Sequence, residues 1–158
     1  MPGCSYEGAR LYFVTILTWQ RRPRFTDAAV VHACNDQILR AAAVTKFRMI
    51  KSCYMPDHLH LIVEGTTTAA NLRTFVKKAK QLSTFHVKRR FGFNLWRKGY
   101  HDRIVRHDEN PQGYVDYICQ NPVAAGLVEN ADDYPFTFGE GLFPGKARPA
   151  RGAPQRPA

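Results

Sequence analysis

The spacing of apolar residues changes several times along the chain, and each change predicts an element. Residues 10–19 (RLYFVTILTW) are β-branched and aromatic, with apolar side chains on both faces, which predicts a central strand. Arg21-Arg22-Pro23-Arg24 breaks it. Thr26 or Asp27 can cap a helix in which Val31, Cys34, Ile38 and Ala42 recur at helical spacing. Residues 47–54 read as a second strand, Pro56-Asp57 as a turn, and residues 58–64 (HLHLIVE) as a third strand ended by Gly65 and three threonines. Asn71 then caps a long helix to about Arg90, with Leu72, Phe75, Ala79 and Leu82 inward. Phe91-Gly92-Phe93 is a break, and residues 100–105 predict a fourth strand. Asn110 followed by Pro111 is a helix start, and this last helix is expected to run to about Gln120, because Pro122 disfavours helical geometry at Asn121.

The resulting order, β-α-β-β-α-β plus a C-terminal helix, is the split βαβ pattern. It predicts an α+β, ferredoxin-like domain: an antiparallel sheet covered by helices on one face. Residues 1–143 are expected to form that domain. Residues 144–158 (PGKARPARGAPQRPA) offer almost nothing to bury and read as a disordered basic Pro/Ala/Arg tail.

A chain of 158 residues that is 44% hydrophobic can bury one core without disulfides or a structural metal. Cys4, Cys34, Cys53 and Cys119 form no CxxC pair, which argues against a zinc ribbon and fits a reducing compartment. No stretch is apolar enough to span a membrane, and no basic segment leads into an apolar run near the N-terminus. A cytoplasmic protein with no membrane partner is expected.

Charge changes the picture more. Lys and Arg number 23 against 13 Asp and Glu, a net +10. Nothing acidic lies between Glu64 and Asp102, the span holding the long helix with Arg73, Lys77, Lys78, Lys80, Lys88, Arg89 and Arg90. Cations unbalanced over such a length favour phosphate binding over a merely solvated face. Arg97 and Lys98 interleave with Phe91, Phe93, Trp96 and Tyr100, a mixture that suits base stacking and core packing equally.

The candidate chemistry starts at His58-Leu59-His60. On a strand, residues two apart share a face, so the imidazoles stand side by side while Leu59 points the other way. Glu64 falls on the histidine face two pleats further on. Tyr117 and Asn121, four apart on the last helix, share a helical face. Two imidazoles and an amide oxygen would leave Mg²⁺ or Mn²⁺ with most of its charge and with positions open to phosphate oxygens. A zinc hydrolase would show a further His, Asp, Glu or Cys at ligand spacing, and none is evident. A phenol with a pKa near ~10 is only about one part in a thousand ionised at neutral pH, so a tyrosine nucleophile needs such a cation. Tyr114, three residues from Tyr117, is the rival nucleophile; spacing favours Tyr117 without deciding between them.

The blocks YFVTILT (12–18), YMPDHLHLIVE (54–64), WRKGYHDRIVR (96–106) and YVDYICQNPVAAGLV (114–128), followed by Tyr134-Pro135-Phe136, resemble the REP-associated tyrosine transposases. These are a branch of the single-tyrosine HUH transposases, and the likeness covers about residues 6 to 138. It implies a transposase domain that cuts and joins single-stranded DNA near hairpins, through a covalent 5′-phosphotyrosine. By position it implies His58 and His60 as metal ligands, Asn121 as the third ligand and Tyr117 as the nucleophile, with Mg²⁺ or Mn²⁺ as cofactor. DNA contacts are expected from Arg73, Lys77, Lys80, Lys88, Arg89, Arg90, Arg97 and Lys98. It also implies work at the nucleoid, as a monomer with a dimer as the alternative. The competing class is a catalytically silent single-strand nucleic-acid-binding module or regulator of the same fold; the filled catalytic positions speak against it.

Overall fold

The computed structural model describes residues 10–106 and 108–142; Cys4 and the expected basic tail lie outside them. The elements are β1 (Leu11–Leu17), α1 (Ala28–Val44), β2 (Phe47–Met55), β3 (His58–Gly65), α2 (Leu72–Phe91), β4 (His101–Ile104), α3 (Pro111–Ala124) and a short β5 (Thr137–Phe138). The sheet is antiparallel in the order β4-β1-β3-β2-β5. The first four strands therefore have the ferredoxin-like arrangement expected from the element order. β5, which the sequence did not announce, pairs with the outer edge of β2 over only Ser52↔Phe138 and Cys53↔Thr137.

Local chemistry accounts for the helix starts. Asp27 accepts a hydrogen bond from the Ala29 N–H, Asn71 from Thr74 and Asn110 from Gln112, and Pro111 occupies the first turn of α3. Gly92 closes α2 in the left-handed region at φ 84°, a conformation that costs glycine little.

The pleat divides the sheet between two cores. Tyr12, Val14 and Ile16 of β1, with Leu59, Leu61 and Val63 of β3, face α1 and α2. Phe13, Ile50, Cys53, Met55 and Ile62 face the other way and meet Val115 and Ile118 of α3. The expectation that helices cover one face is thus corrected: α1 and α2 share one face and α3 lies on the other. β1, β2 and β3 carry apolar residues on both faces and would otherwise expose one of them.

A second correction concerns the end of α3. The helix does not stop at Gln120 but continues to Ala124 with Pro122 inside it. The restriction a proline places on its predecessor is a preference, and here it is overcome by packing, since Pro122 is buried and the Ala125 N–H still donates to the Asn121 carbonyl. Asn121 consequently keeps helical geometry.

Trp96 is settled as core: it is 8% exposed, and its indole N–H donates to Ser83 Oγ at 2.8 Å. Phe91, Phe93 and Tyr100 are partly buried against the same core.

Leu59 is fully buried, between two histidines that face the other side of the sheet. Replacing it with alanine is expected to cost about 2–5 kcal/mol in urea denaturation, and His58→Ala less than about 1 kcal/mol. Equal losses from the two variants would contradict the assignment of faces.

Candidate active site on the third-helix face

His58 and His60 lie side by side on the sheet face covered by α3, opposite Leu17 and Thr15 of β1 in the strand register. Their Nε2 atoms are 3.2 Å apart. The other ring nitrogens are both engaged: His58 Nδ1 meets Asp57 Oδ1 at 2.8 Å, and His60 Nδ1 meets Thr15 Oγ1 at 3.0 Å. An imidazole donating through Nδ1–H keeps its Nε2 lone pair free; the Asp57 carboxylate, an acceptor only, favours that tautomer in His58, while the Thr15 hydroxyl can donate to or accept from His60 Nδ1.

The end of β1 holds Asp57 in place. Arg21 Nε and Nη2 both lie 2.9 Å from Asp57 Oδ2. Buried Thr18 donates from its backbone N–H to the Asp57 carbonyl at 3.0 Å, and its hydroxyl lies between the carbonyls of Arg22, at 2.7 Å, and Asp57, at 3.0 Å. Gln20 and Arg21 have φ 53°, a sparsely populated region for residues with a side chain, in the turn that delivers Arg21 to the carboxylate. Burial pushes the Asp57 carboxyl up, but the hydrogen bonds from His58 and Arg21 outweigh it and hold the group below its usual range.

His60 is 6% exposed. Burial first, and the neighbouring His58 charge second, depress its pKa to about 4, so the ring is neutral at neutral pH.

α3 completes the group. Asn121 Nδ2 lies 3.2 Å from His60 Nε2; amide O and N are interchangeable by a half-turn of the side chain, which would present Oδ1 instead. One turn earlier, the Tyr117 ring stands 5.9 Å from the His60 ring, and Phe13 packs between α3 and the sheet, 5.4 Å from His60 and 5.9 Å from Tyr117. Tyr117 is 56% exposed. Tyr114 is placed differently: its hydroxyl donates to Glu109 Oε2 at 2.5 Å, which raises the pKa of that phenol.

The structure thus brings His58, His60, Tyr117 and Asn121 together. It does not bring in Glu64, whose carboxylate is paired with Arg48 at 3.1 Å. Nor does it bring in the basic helix, since α2 covers the opposite face of the sheet. Two of its cations are also engaged: Lys80 Nζ donates to the Arg97 and Gly99 carbonyls at 2.8 Å, and Lys88 Nζ to Asn94 Oδ1 at 3.2 Å. Arg21, Asp57 and Thr15 were not singled out from the sequence. Asp57 and Thr15 left a signal, one an acid beside the histidines and the other a polar residue in an apolar strand; Arg21 left none.

Among the described residues no three of His, Cys, Asp and Glu gather into a metal-holding group. The donor set that does converge, two imidazole Nε2 atoms and a carboxamide, fits a hard-to-borderline divalent ion. Ligands at right angles around an octahedral cation stand roughly 3 Å apart, close to the 3.2 Å between the Nε2 atoms.

A family model described as "Transposase IS200 like" matches residues 9–121. A protein of Haemophilus influenzae assigned as a REP-associated tyrosine transposase is 25% identical over 140 residues, covering 80% of this chain and 78% of that protein. The REP-associated tyrosine transposase of Escherichia coli K12 is 36% identical over 56 residues, 32% of this chain and 34% of that one. Among solved structures, a REP-associated tyrosine transposase bound to a REP hairpin superposes with a TM-score of 0.72 at 21% identity, over 84% of this chain and 78% of that one. A protein of Deinococcus radiodurans assigned as a transposase superposes at 0.55 and 22% identity, over 77% and 96%.

Because the folded value of His60 lies below the unfolded 6.5, the unfolded chain takes up its proton first on acidification. The stability contributed by His60 is therefore full above pH 6.5 and lost as pH falls towards about 4, some ~3 kcal/mol in all. Urea unfolding of the metal-free protein between these limits should show that loss in wild type and not in His60→Gln. An NMR titration with the His60 ring protonating near 6.5 would contradict it.

Proposed function

The chain belongs to the IS200-like transposase family, and from that membership we propose that it cuts and rejoins single-stranded DNA beside hairpins through a 5′-phosphotyrosine formed on Tyr117. As a family member it is an enzyme that cleaves and rejoins DNA. The observation that carries the residue-level reading is the approach of the Tyr117 ring to within 5.9 Å of His60, on the side where His58 Nε2 and Asn121 converge.

His58 Nε2, His60 Nε2 and the Asn121 amide oxygen would hold Mg²⁺ or Mn²⁺. When bound, such a cation neutralises charge on the scissile phosphate and on the departing oxygen. The protein's own part is to keep His60 neutral by burial, to point both imidazoles through Asp57 and Thr15, and to present a phenol that Glu109 has not claimed. In the cleavage step the Tyr117 oxygen bonds to phosphorus and the bond from phosphorus to the 3′-oxygen breaks. The phenolic proton passes to water, and the released 3′-oxygen takes one up. The phosphotyrosine bond conserves the energy of the broken phosphodiester, so a 3′-hydroxyl can attack it to rejoin strands without ATP.

DNA next to the site is expected to be unpaired, because Tyr117 must reach the backbone. The hairpin stem fits better on the outer face of α2, where Arg73, Lys77, Arg89 and Arg90 are exposed, with Arg97 and Lys98 at its end. The relative solved with a REP hairpin supports a hairpin ligand. Such a substrate would place the enzyme at the nucleoid. Lys80 and Lys88 serve this surface indirectly, by fixing the loop after α2.

A labelled single-stranded hairpin oligonucleotide, incubated with Mn²⁺ and run on a denaturing gel, should give a protein-linked fragment. That product should vanish in Tyr117→Phe and with EDTA, and persist in Tyr114→Phe. Cleavage surviving Tyr117→Phe would point to water as nucleophile. An oligonucleotide shifted on a native gel but never cut would favour the binding-module alternative. By calorimetry, Asp57→Asn should weaken Mn²⁺ binding about 10–100-fold, and an unchanged affinity would remove Asp57 from the site.

A further inference from the structure

Beside Tyr117, between β1, β4 and the first turn of α3, lies an open cleft of about 540 Å³ lined by Phe13, Arg103, Glu109, Gly113, Tyr114 and Tyr117. Its wall is aromatic: the Phe13 and Tyr114 rings stand 5.7 Å apart at 50°. Its rim carries one cation. Arg103 sits opposite Phe13 in the register of β4 with β1, and its guanidinium lies 5.7 Å from the Tyr114 ring. Arg103 Nη2 donates to Glu109 Oε2 at 3.0 Å, and the same carboxylate accepts the Tyr114 hydroxyl and, through Oε1, the Arg106 N–H. This cluster fixes the guanidinium at the cleft while most of its five N–H donors remain for a ligand.

Gly113 leaves the cleft open on its α3 side. It is the third residue of α3, in its exposed first turn. No left-handed φ calls for glycine there, and a Cβ at this position would meet no atom within 4 Å.

An aromatic wall with a fixed cation at its rim suits a nucleobase and a phosphate. We propose that this cleft is a subsite for the nucleotide immediately 3′ of the scissile phosphate, the one that becomes bonded to Tyr117. Its base lies against Phe13 and Tyr114, and Arg103 meets the phosphate that follows. The choice of nucleotide rests on the reaction proposed above. The leaving 3′-oxygen departs opposite the phenol and is released, whereas the retained nucleotide stays tethered to Tyr117 through its 5′-phosphate.

The test measures single-turnover formation of the protein–DNA adduct with Mn²⁺, on a hairpin oligonucleotide whose cut position has been mapped from the released fragment. Removing the base 3′ of the cut should slow wild type about tenfold. Gly113→Leu, which fills the cleft, should react about tenfold slower than wild type on the intact oligonucleotide and should lose its sensitivity to the missing base. Gly113→Ala and Gly113→Leu should both melt at or above the wild-type temperature, which separates blocking from misfolding. A wild-type rate indifferent to the missing base, or a Gly113→Leu rate equal to wild type, would overturn the subsite while leaving the strand-transfer reading intact. No adduct from wild type on any hairpin substrate would instead remove that reading, and this one with it.

Discussion

Everything in the site depends on the two-residue period of β3. Leu59, Leu61 and Val63 must face α1 and α2, because that is where the main core lies. The pleat then forces His58, His60 and Ile62 to the opposite face without choice of angle. A slip of one residue in the register would exchange the two sets, burying imidazoles among leucines and leaving the core without its central strand. The histidine pair is in this sense held by hydrophobic burial on the other side of the sheet.

Position alone would not make two imidazoles useful. Facing lone pairs 3.2 Å apart are unfavourable unless a proton or a cation lies between them. Burial of His60 disfavours its charged form, not a hydrogen bond between neutral rings. Asp57 favours the Nδ1–H tautomer of His58, Thr15 orients the His60 ring, and Arg21 helps to hold Asp57 ionised from a strained turn. The local backbone cost at Gln20 and Arg21 falls at the point where β1, the turn before β3 and the first histidine meet. That agrees with the tendency of such strain to collect at working sites.

The two faces divide the labour. α1 and α2 supply the large core and a basic outer surface, while α3 closes the second face with a smaller apolar contact and carries the tyrosine and the carboxamide. The smaller contact leaves an open cleft beside Tyr117. Pro122 belongs to this economy: its burial secures the last turn of α3, and that turn keeps Asn121 one helical step from Tyr117 and against His60.

Much of this was legible in the residues. The alternation through His58-Leu59-His60, the caps at Asp27, Asn71 and Asn110, and the four-residue step from Tyr117 to Asn121 are local patterns, and local patterns fix local geometry. The element order was enough to imply the antiparallel ferredoxin-like sheet. What stayed hidden was set by contacts between residues distant in the chain. The sequence could not say that α3 crosses to the other face, that Pro122 would be tolerated inside it, or that Thr137 and Phe138 would add a strand. It could not show that Lys80 would be drawn to the carbonyls of Arg97 and Gly99, or that Arg21 would reach Asp57. The same holds for the choice between the two tyrosines on physical grounds, since it was Glu109, folded back against α3, that engaged Tyr114 and left Tyr117 beside the histidines. Periodicity decides which way a side chain points along its own element, but only the packing of whole elements decides what it meets there.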